Sequence, residues 1–202
     1  MASDGSVTTT TRDRAKADRQ SALLREAARL FAERGFAAVS LEDLGAAVGV
    51  SGPAVYRHFA NKQALLGAIL IGVSERLRDG GAQVLAGPHD RERQLEDLVS
   101  FHVEFALGSA DVIRVQDRDL SSLADADRHR VRRLQREYVD MWITVLHARH
   151  PERSEGDLRV RAHACFGLIN STPHSMRDGR RSPSDAAVRG ILESMAVAAL
   201  SA

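Results

Sequence analysis

Apolar positions recur at intervals of three and four along most of the chain, which is the spacing that predicts amphipathic helices. The most regular stripe lies within 126–149 and combines Val131, Leu134, Tyr138, Met141, Trp142 and Val145. Sustained alternation of apolar and polar residues, the pattern of a half-buried strand, is missing from the sequence. We therefore expect an all-α protein of about nine helices.

The first four helices are predicted at 18–34, 41–48, 52–58 and 62–78. Gly35 and Gly49 can end the first two in the left-handed conformation. A polar residue precedes each of the second, third and fourth helices and can cap it, namely Ser40, Ser51 and Asn61. Gly80 and Gly81 are expected to end the fourth helix, and residues 1–14 are expected to form a disordered leader.

The rest of the chain predicts five further helices, near 90–107, 109–122, 126–149, 157–177 and 184–200. The last two carry apolar stripes, which either fill the core of the protomer or form an interface between two copies. These stripes consist of Leu158, Ala162, Cys165, Phe166 and Ile169, and of Val188, Ile191, Leu192, Met195 and Leu200.

The segment "VGVSGPAVYRHFANK" at 48–62 predicts a helix-turn-helix, in which a short turn leads into a helix that enters the DNA major groove. Its small residues Gly52, Pro53 and Ala54 allow a close approach to base edges, and Arg57 can reach a phosphate or a guanine. Hydroxyl, imidazole and ammonium donors that suit phosphate oxygens are Ser40, Ser51, Tyr56, His58 and Lys62.

Residues 15–75 resemble the tetracycline-repressor (TetR) family, on the run "AARLFAERGFAAVSLEDLGAAVGVSGPAVYRHFANKQALLGAIL" and above all on "VYRHFANKQALL". The resemblance implies phosphate contacts by Ser40, Tyr56, His58 and Lys62, and a groove-facing set of Gly52, Pro53, Ala54 and Arg57. Phe59 would pack the recognition helix onto its neighbours. The family often has threonine at position 40, whose hydroxyl Ser40 preserves, and a residue other than proline at 53.

The same resemblance implies a DNA-binding domain at 15–62 and a helical effector-binding and dimerisation domain at 63–202. We therefore expect a ligand-responsive transcriptional regulator, most simply a homodimeric repressor that a small-molecule effector releases from a palindromic operator. The alternatives are a helical protein-interaction module without effector binding and a hydrolase. No catalytic motif such as G-x-S-x-G or a P-loop is present, so we expect no enzyme and no cofactor.

The composition bears on how the chain could bind DNA and on where in the cell it is expected. The formal net charge is +1, so DNA affinity has to come from local placement of charge. Near the N-terminus, Arg12, Arg14, Lys16 and Arg19 form either an arm along the DNA backbone or a solvated first turn. No apolar run is long enough to cross a membrane, and the single Cys165 cannot form a disulfide within the chain, so we expect a cytoplasmic protein without a membrane partner.

Arg114 and Arg118 lie four residues apart and therefore on one face of a helix. With nearby apolar residues they suit an effector with an acidic head and an apolar body, or they pair with Asp111, Asp117 and Asp119. The remaining effector candidates, which either line a cavity or fill the core, are Phe101, His102, Phe105, Tyr138 and Trp142. His147 and His150, with His163 or His174, lack a recognised metal-ligand pattern, so we expect no metal.

Overall fold

The computed structural model describes residues 11–88, 91–175 and 184–202, and every regular element in that part of the chain is helical. The nine α-helices of the described residues are α1 (Thr11–Arg34), α2 (Leu41–Ala47), α3 (Gly52–Tyr56), α4 (Lys62–Leu85), α5 (Arg91–Gly108), α6 (Ala110–Asp119), α7 (Asp125–Arg149), α8 (Glu155–Ser175) and α9 (Asp185–Ser201). A single 3-10 turn, Leu120–Ser122, follows α6. The all-α expectation is confirmed.

The first of two apolar cores lies where α1, α2, α3 and the first half of α4 meet. Phe31, Leu44 and Val55 are completely buried there, one from each of the first three helices. Val115 of α6 and Val131 of α7 belong to the same core. The N-terminal helices are therefore attached to the rest of the chain through apolar packing as well as through α4.

The second core lies among α5, α7, α8 and α9. Trp142 and Leu146 of α7 are fully buried against Leu98 of α5 and Leu158 of α8. Burial of a side chain of this size stabilises a fold by about 1.5–3 kcal/mol. Helix α4 takes part in both cores, because Leu66 near its start packs in the first and residues near its end pack against the second.

Two glycines allow the far end of α4 to pack closely, and the prediction that they end this helix is wrong. The helix continues through Gly80 and Gly81 to Leu85. A Cβ atom on Gly80 would overlap the ring of Phe101, and one on Gly81 would lie 2.8 Å from a ring carbon of Tyr138. The glycines therefore bring α4 against the aromatic residues of α5 and α7, since only a missing side chain leaves room there.

Other helix ends differ from the predictions by a few residues. Helix α1 begins at Thr11, so residues 11–14 are helical instead of forming part of a leader, whereas residues 1–10 lie outside the described residues. In the basic stretch at its start, Arg14 and Arg19 are exposed, and the side chains of Arg12 and Lys16 lie outside the description. Helix α3 ends two residues earlier than expected.

The turns between the first helices follow the sequence signals. Gly35 and Gly49 have φ angles of 89° and 72°, in the left-handed region that favours glycine. Gly45 of α2 has no room for a side chain, because a Cβ atom would lie 2.7 Å from the carbonyl oxygen of Val50. The turn between α2 and α3 is thereby pressed directly onto α2, which fixes the orientation of α3.

The apolar stripes of α8 and α9 divide between the protomer's core and its surface. Seven of the ten predicted residues are buried within the protomer, namely Leu158, Ala162, Cys165, Ile169, Val188, Leu192 and Leu200. Ile191 and Met195 remain exposed on α9, and so does Val160 on α8, which was not predicted. None of the described helices combines the length and the apolar character needed to cross a bilayer.

Candidate nucleic-acid interface and ligand site

Helix α3 is anchored on one side and open to solvent on the other. Val55 is fully buried and Phe59, just after the helix, is 6% exposed, so both hold α3 against the first core. Pro53, Tyr56 and Arg57 are exposed, and 52% of the Tyr56 surface is accessible. The open side of α3 therefore presents a phenol hydroxyl and a guanidinium beside a proline.

The remaining predicted contact residues of this segment border the same exposed side. Ser51 precedes α3 and is exposed, and its side chain makes no capping hydrogen bond. Gly52, Ala54 and His58 are half-buried. Small residues, with a tyrosine, an arginine and a histidine after them, therefore border solvent along α3.

Ser40 is exposed at the start of α2, but its hydroxyl already has a partner. Ser40 Oγ donates to Asp43 Oδ2 at 2.7 Å and accepts from the Asp43 backbone N–H at 3.0 Å. The Ser40 backbone N–H donates to the same carboxylate at 2.8 Å, which completes a capping box. The hydrogen bond from the Ser40 side chain is the main reason why the pKa of Asp43 is lowered, so a negative charge lies beside Ser40.

Lys62 is turned inward, onto the turn that follows α1. Its ammonium group donates to the carbonyl oxygens of Phe36, Ala37 and Val39 at 2.8, 3.2 and 2.8 Å. It also lies 4.6 Å from the centre of the Phe36 ring. An ammonium group has three N–H donors, and all three are used here. The phosphate contact expected for Lys62 stays a prediction, and it would require this ammonium to give up or share a carbonyl.

An aromatic nest lies inside the second core, formed by His102, Phe105, Tyr138, Trp142 and Phe166. The ring centres of His102 and Phe166 are 4.7 Å apart, and those of Trp142 and Phe166 are 5.0 Å apart. Phe105 and Tyr138 lie 6.0 and 5.8 Å from His102. Four of the predicted effector residues are thus brought together, while Phe101 packs over Gly80 of α4 instead.

The nest contains polar atoms that the protein itself does not satisfy. His102 Nδ1 lies 3.2 Å from the Tyr138 hydroxyl. Within the described residues, His102 Nε2, Trp142 Nε1 and Asn170 Oδ1 are buried without a hydrogen-bond partner. Each unsatisfied buried group of this kind costs about 1–3 kcal/mol. Buried polar groups usually have a partner, and ordered water, an ion or a ligand can supply it.

Burial also fixes the charge of the nest. It lowers the pKa of His102 to about 4, and the Asn170 side chain opposes this shift only in part. Burial likewise raises the pKa of the Tyr138 hydroxyl. His102 and Tyr138 are therefore both neutral near pH 7, and the nest offers neutral donors and acceptors rather than a charge.

The structure separates the two predicted arginines from this nest. Arg118 donates to the carbonyl oxygen of Phe31, and to that of Ala32 at 3.4 Å, near the end of α1. It also pairs with the buried carboxylate of Asp119 at 2.9 Å. The ion-pair alternative therefore holds for Arg118, whose bonds to the carbonyl oxygens of Phe31 and Ala32 also tie α6 to α1. Arg114 is half-buried and takes part in none of the ring contacts of the nest.

Phe166 and Asn170 were missed as candidate ligand residues. They lie four residues apart on α8 and so share one face of that helix. An asparagine on an otherwise apolar helix face was a usable signal, since polar residues are rarely buried without a partner. Among the described residues no group of three histidine, cysteine or acidic side chains is placed to hold a metal ion.

Both halves of the chain match models of known protein families. Residues 23–69 match the family described as bacterial regulatory proteins, tetR family, and residues 88–192 match the tetracyclin repressor-like C-terminal domain. The second match alone covers more than half of the 202 residues.

Curated relatives include a repressor and an activator. The transcriptional repressor KstR2 of Rhodococcus jostii is 30% identical over 134 residues, 66% of this chain and 66% of that protein. The transcriptional activator FasR of Mycolicibacterium smegmatis is 31% identical over 88 residues, 44% of this chain and 40% of that protein. The chain thus aligns with less than two thirds of the length of either relative.

The fold itself has solved counterparts. A TetR-family transcriptional regulator from Bordetella parapertussis superposes with a TM-score of 0.77 at 24% identity, over 88% of this chain and 93% of that one. Together with the two family matches, which span the exposed α3 surface and the aromatic nest, this means that the chain belongs to the tetracycline-repressor (TetR) family of bacterial regulatory proteins.

Proposed function

We propose that this protein is a ligand-responsive transcriptional repressor that binds operator DNA through α3. The observation that carries the proposal is the exposed surface of α3, where Tyr56 and Arg57 stand beside small residues while Val55 and Phe59 hold the helix from behind. A helix held this way can enter the major groove, with Arg57 reaching a base edge and Tyr56 a phosphate. Of the two relatives named above, the repressor aligns over the larger share of this chain, 66% against 44%, which supports repression.

The acting species in this proposal is a homodimer that reads a palindromic site. Val160 is 68% exposed, Ile191 53% and Met195 50%, and these residues lie on the two neighbouring helices α8 and α9. Contact between two copies would cover them, and a two-fold dimer would present two α3 helices to successive half-sites.

The effector in this proposal occupies the aromatic nest. A ligand with an apolar body and a neutral polar group would satisfy His102 Nε2, Trp142 Nε1 or Asn170 Oδ1 while stacking on Phe166. A ligand at this site needs no acidic head, because neither predicted arginine takes part in the nest. Arg118 donates to a carbonyl oxygen of α1 instead.

The nest is also placed to influence DNA binding. Tyr138 lies against Gly81 of α4, and α4 begins at the DNA-binding helices. A ligand that displaces Tyr138 would move α4 and favour a spacing of the two α3 helices that does not fit the operator. Operator DNA must then weaken ligand binding by the same factor by which the ligand weakens DNA binding.

The direct test compares DNA binding by variants of the exposed surface. With DNA from upstream of the protein's own gene, Arg57→Ala should weaken binding by about 1–3 kcal/mol and relax specificity, whereas Tyr56→Phe should weaken binding to all sequences alike. Arg136→Ala, an exposed arginine on α7, is the matched control and should bind like wild type. Equal affinities for wild type and Arg57→Ala would refute the assignment of α3 as the reading helix.

A further inference from the structure

A groove lies between the DNA-binding helices and the regulatory helices, away from the aromatic nest. It is formed by α1, α4 and α6 and has a volume of about 360 Å³. Volumes of this size hold small organic ligands. None of the residues that line it belongs to the nest, so an occupant would lie at a different place from the effector proposed above.

The floor of the groove is apolar. Leu24 of α1, Ile69 and Val73 of α4 and Val112 of α6 contribute to it. Gly72 of α4 also faces it, and a Cβ atom placed on Gly72 would meet nothing within 4 Å. The space beside Gly72 is therefore open to the alkyl chain of a ligand.

Two arginines line the same groove, one from each of two helices. Arg25 belongs to α1 and Arg76 to α4, and both are exposed. Neither makes a hydrogen bond or an ion pair with the described residues. By contrast, Arg78 of α4 pairs with Glu137, and Arg130 of α7 pairs with Glu75. Arginine binds carboxylates through two parallel hydrogen bonds, and an apolar floor next to such groups favours an anion with a hydrocarbon tail.

We propose that this groove is a second ligand site, which binds an amphipathic carboxylate with its head between Arg25 and Arg76 and its tail along Gly72. An occupant would contact α1, α4 and α6 together and would stabilise this arrangement of the three helices by mass action. Because binding involves neither α3 nor the nest, the site can be tested on the free protein without operator or effector.

The test is calorimetric titration of the full-length protein with dodecanoate, below the concentration at which it forms micelles. Wild type should bind one dodecanoate per protomer, and acetate, which lacks the tail, should give no binding. Arg25→Ala/Arg76→Ala should weaken dodecanoate binding by roughly tenfold or more, because two charged contacts are lost. Gly72→Leu, which fills the open space, should abolish binding, and Arg136→Ala should leave it unchanged.

Circular dichroism of each variant controls for folding, and a rise in melting temperature with dodecanoate gives a second readout. The proposal is overturned if wild type does not bind dodecanoate. It is equally overturned if the double arginine variant and Gly72→Leu both bind as tightly as wild type, since the fatty acid would then occupy another site.

Discussion

Replacing Lys62 with methionine separates two roles for this residue, an internal brace and a DNA contact. The variant keeps the apolar stem beside Phe36 and removes the ammonium that donates to the carbonyl oxygens of Phe36, Ala37 and Val39. If the brace is the main role, the free protein should become less stable. The turn between α1 and α2 would then lose the ammonium group that binds its three carbonyl oxygens.

The magnitude follows from the three bonds. A hydrogen bond to a charged group contributes about 1.5–3 kcal/mol when well protected, and a cation over an aromatic ring adds about 0.5–1 kcal/mol at an exposed site. Lys62 is only half-buried, so water replaces part of each contact. We therefore expect a loss of about 2–3 kcal/mol in the free energy of unfolding, since three partly solvated bonds together contribute about as much as one protected bond.

The assay is urea and thermal denaturation of wild type and Lys62→Met at equal protomer concentration and without DNA. For a chain of this length, about 2–4 °C is lost per kcal/mol, so the melting temperature should fall by about 5–10 °C. Arg57→Ala is the matched control, because Arg57 is exposed beside α3, and it should change the unfolding free energy by no more than about 0.5 kcal/mol. An unchanged melting temperature for Lys62→Met, together with weaker DNA binding, would refute the brace and restore the phosphate contact.

Further predictions concern packing, pH and assembly. Gly81→Ala should lower stability by about 1–3 kcal/mol, because the added methyl would meet the Tyr138 ring. Gly72→Ala should raise stability by about 0.5–1 kcal/mol, because its methyl meets nothing. Thermal denaturation that ranks the two variants in the other order would contradict this packing. The pKa of His102 is about 4 in the folded protein and near its ordinary value in the unfolded chain, so its contribution to stability is complete above pH ~6.5 and falls as pH drops towards 4. His102→Phe should flatten that part of the curve of unfolding free energy against pH, and a curve that keeps the wild-type slope would show that His102 is not the group responsible. Ile191→Arg/Met195→Glu should give a monomer of about 22.0 kDa by light scattering, whereas an unchanged dimer would exclude this face as the interface.

The sequence predicted the helices and turns of the DNA-binding half well, because their signals are local. Gly35 and Gly49 take the left-handed conformation that their positions require, and Ser40 forms the expected cap. Gly80 and Gly81 carry the same local signal but have the opposite role, since the rings of Phe101 and Tyr138 press against them from other helices. A tertiary contact of this kind cannot be read from spacing along the chain.

The site residues illustrate the same limit. Tyr56 and Arg57 face solvent as the helical pattern implies, and His102, Tyr138 and Trp142 meet in one cluster. Lys62 was predicted to contact a phosphate, and Arg118 either an acidic ligand or neighbouring aspartates. Both donate to backbone carbonyls of the segment around the end of α1. Unpaired carbonyls at a helix end attract cations, and the sequence does not reveal which cation reaches them.

The most direct test of the central proposal is fluorescence anisotropy with two labelled duplexes at one fixed salt concentration. One duplex carries the region upstream of the protein's own gene, and the other carries the same bases in scrambled order. The dimer should bind the upstream duplex at least roughly a thousandfold more tightly, as sequence-specific regulators do. Equal affinity for the two duplexes would contradict the proposal.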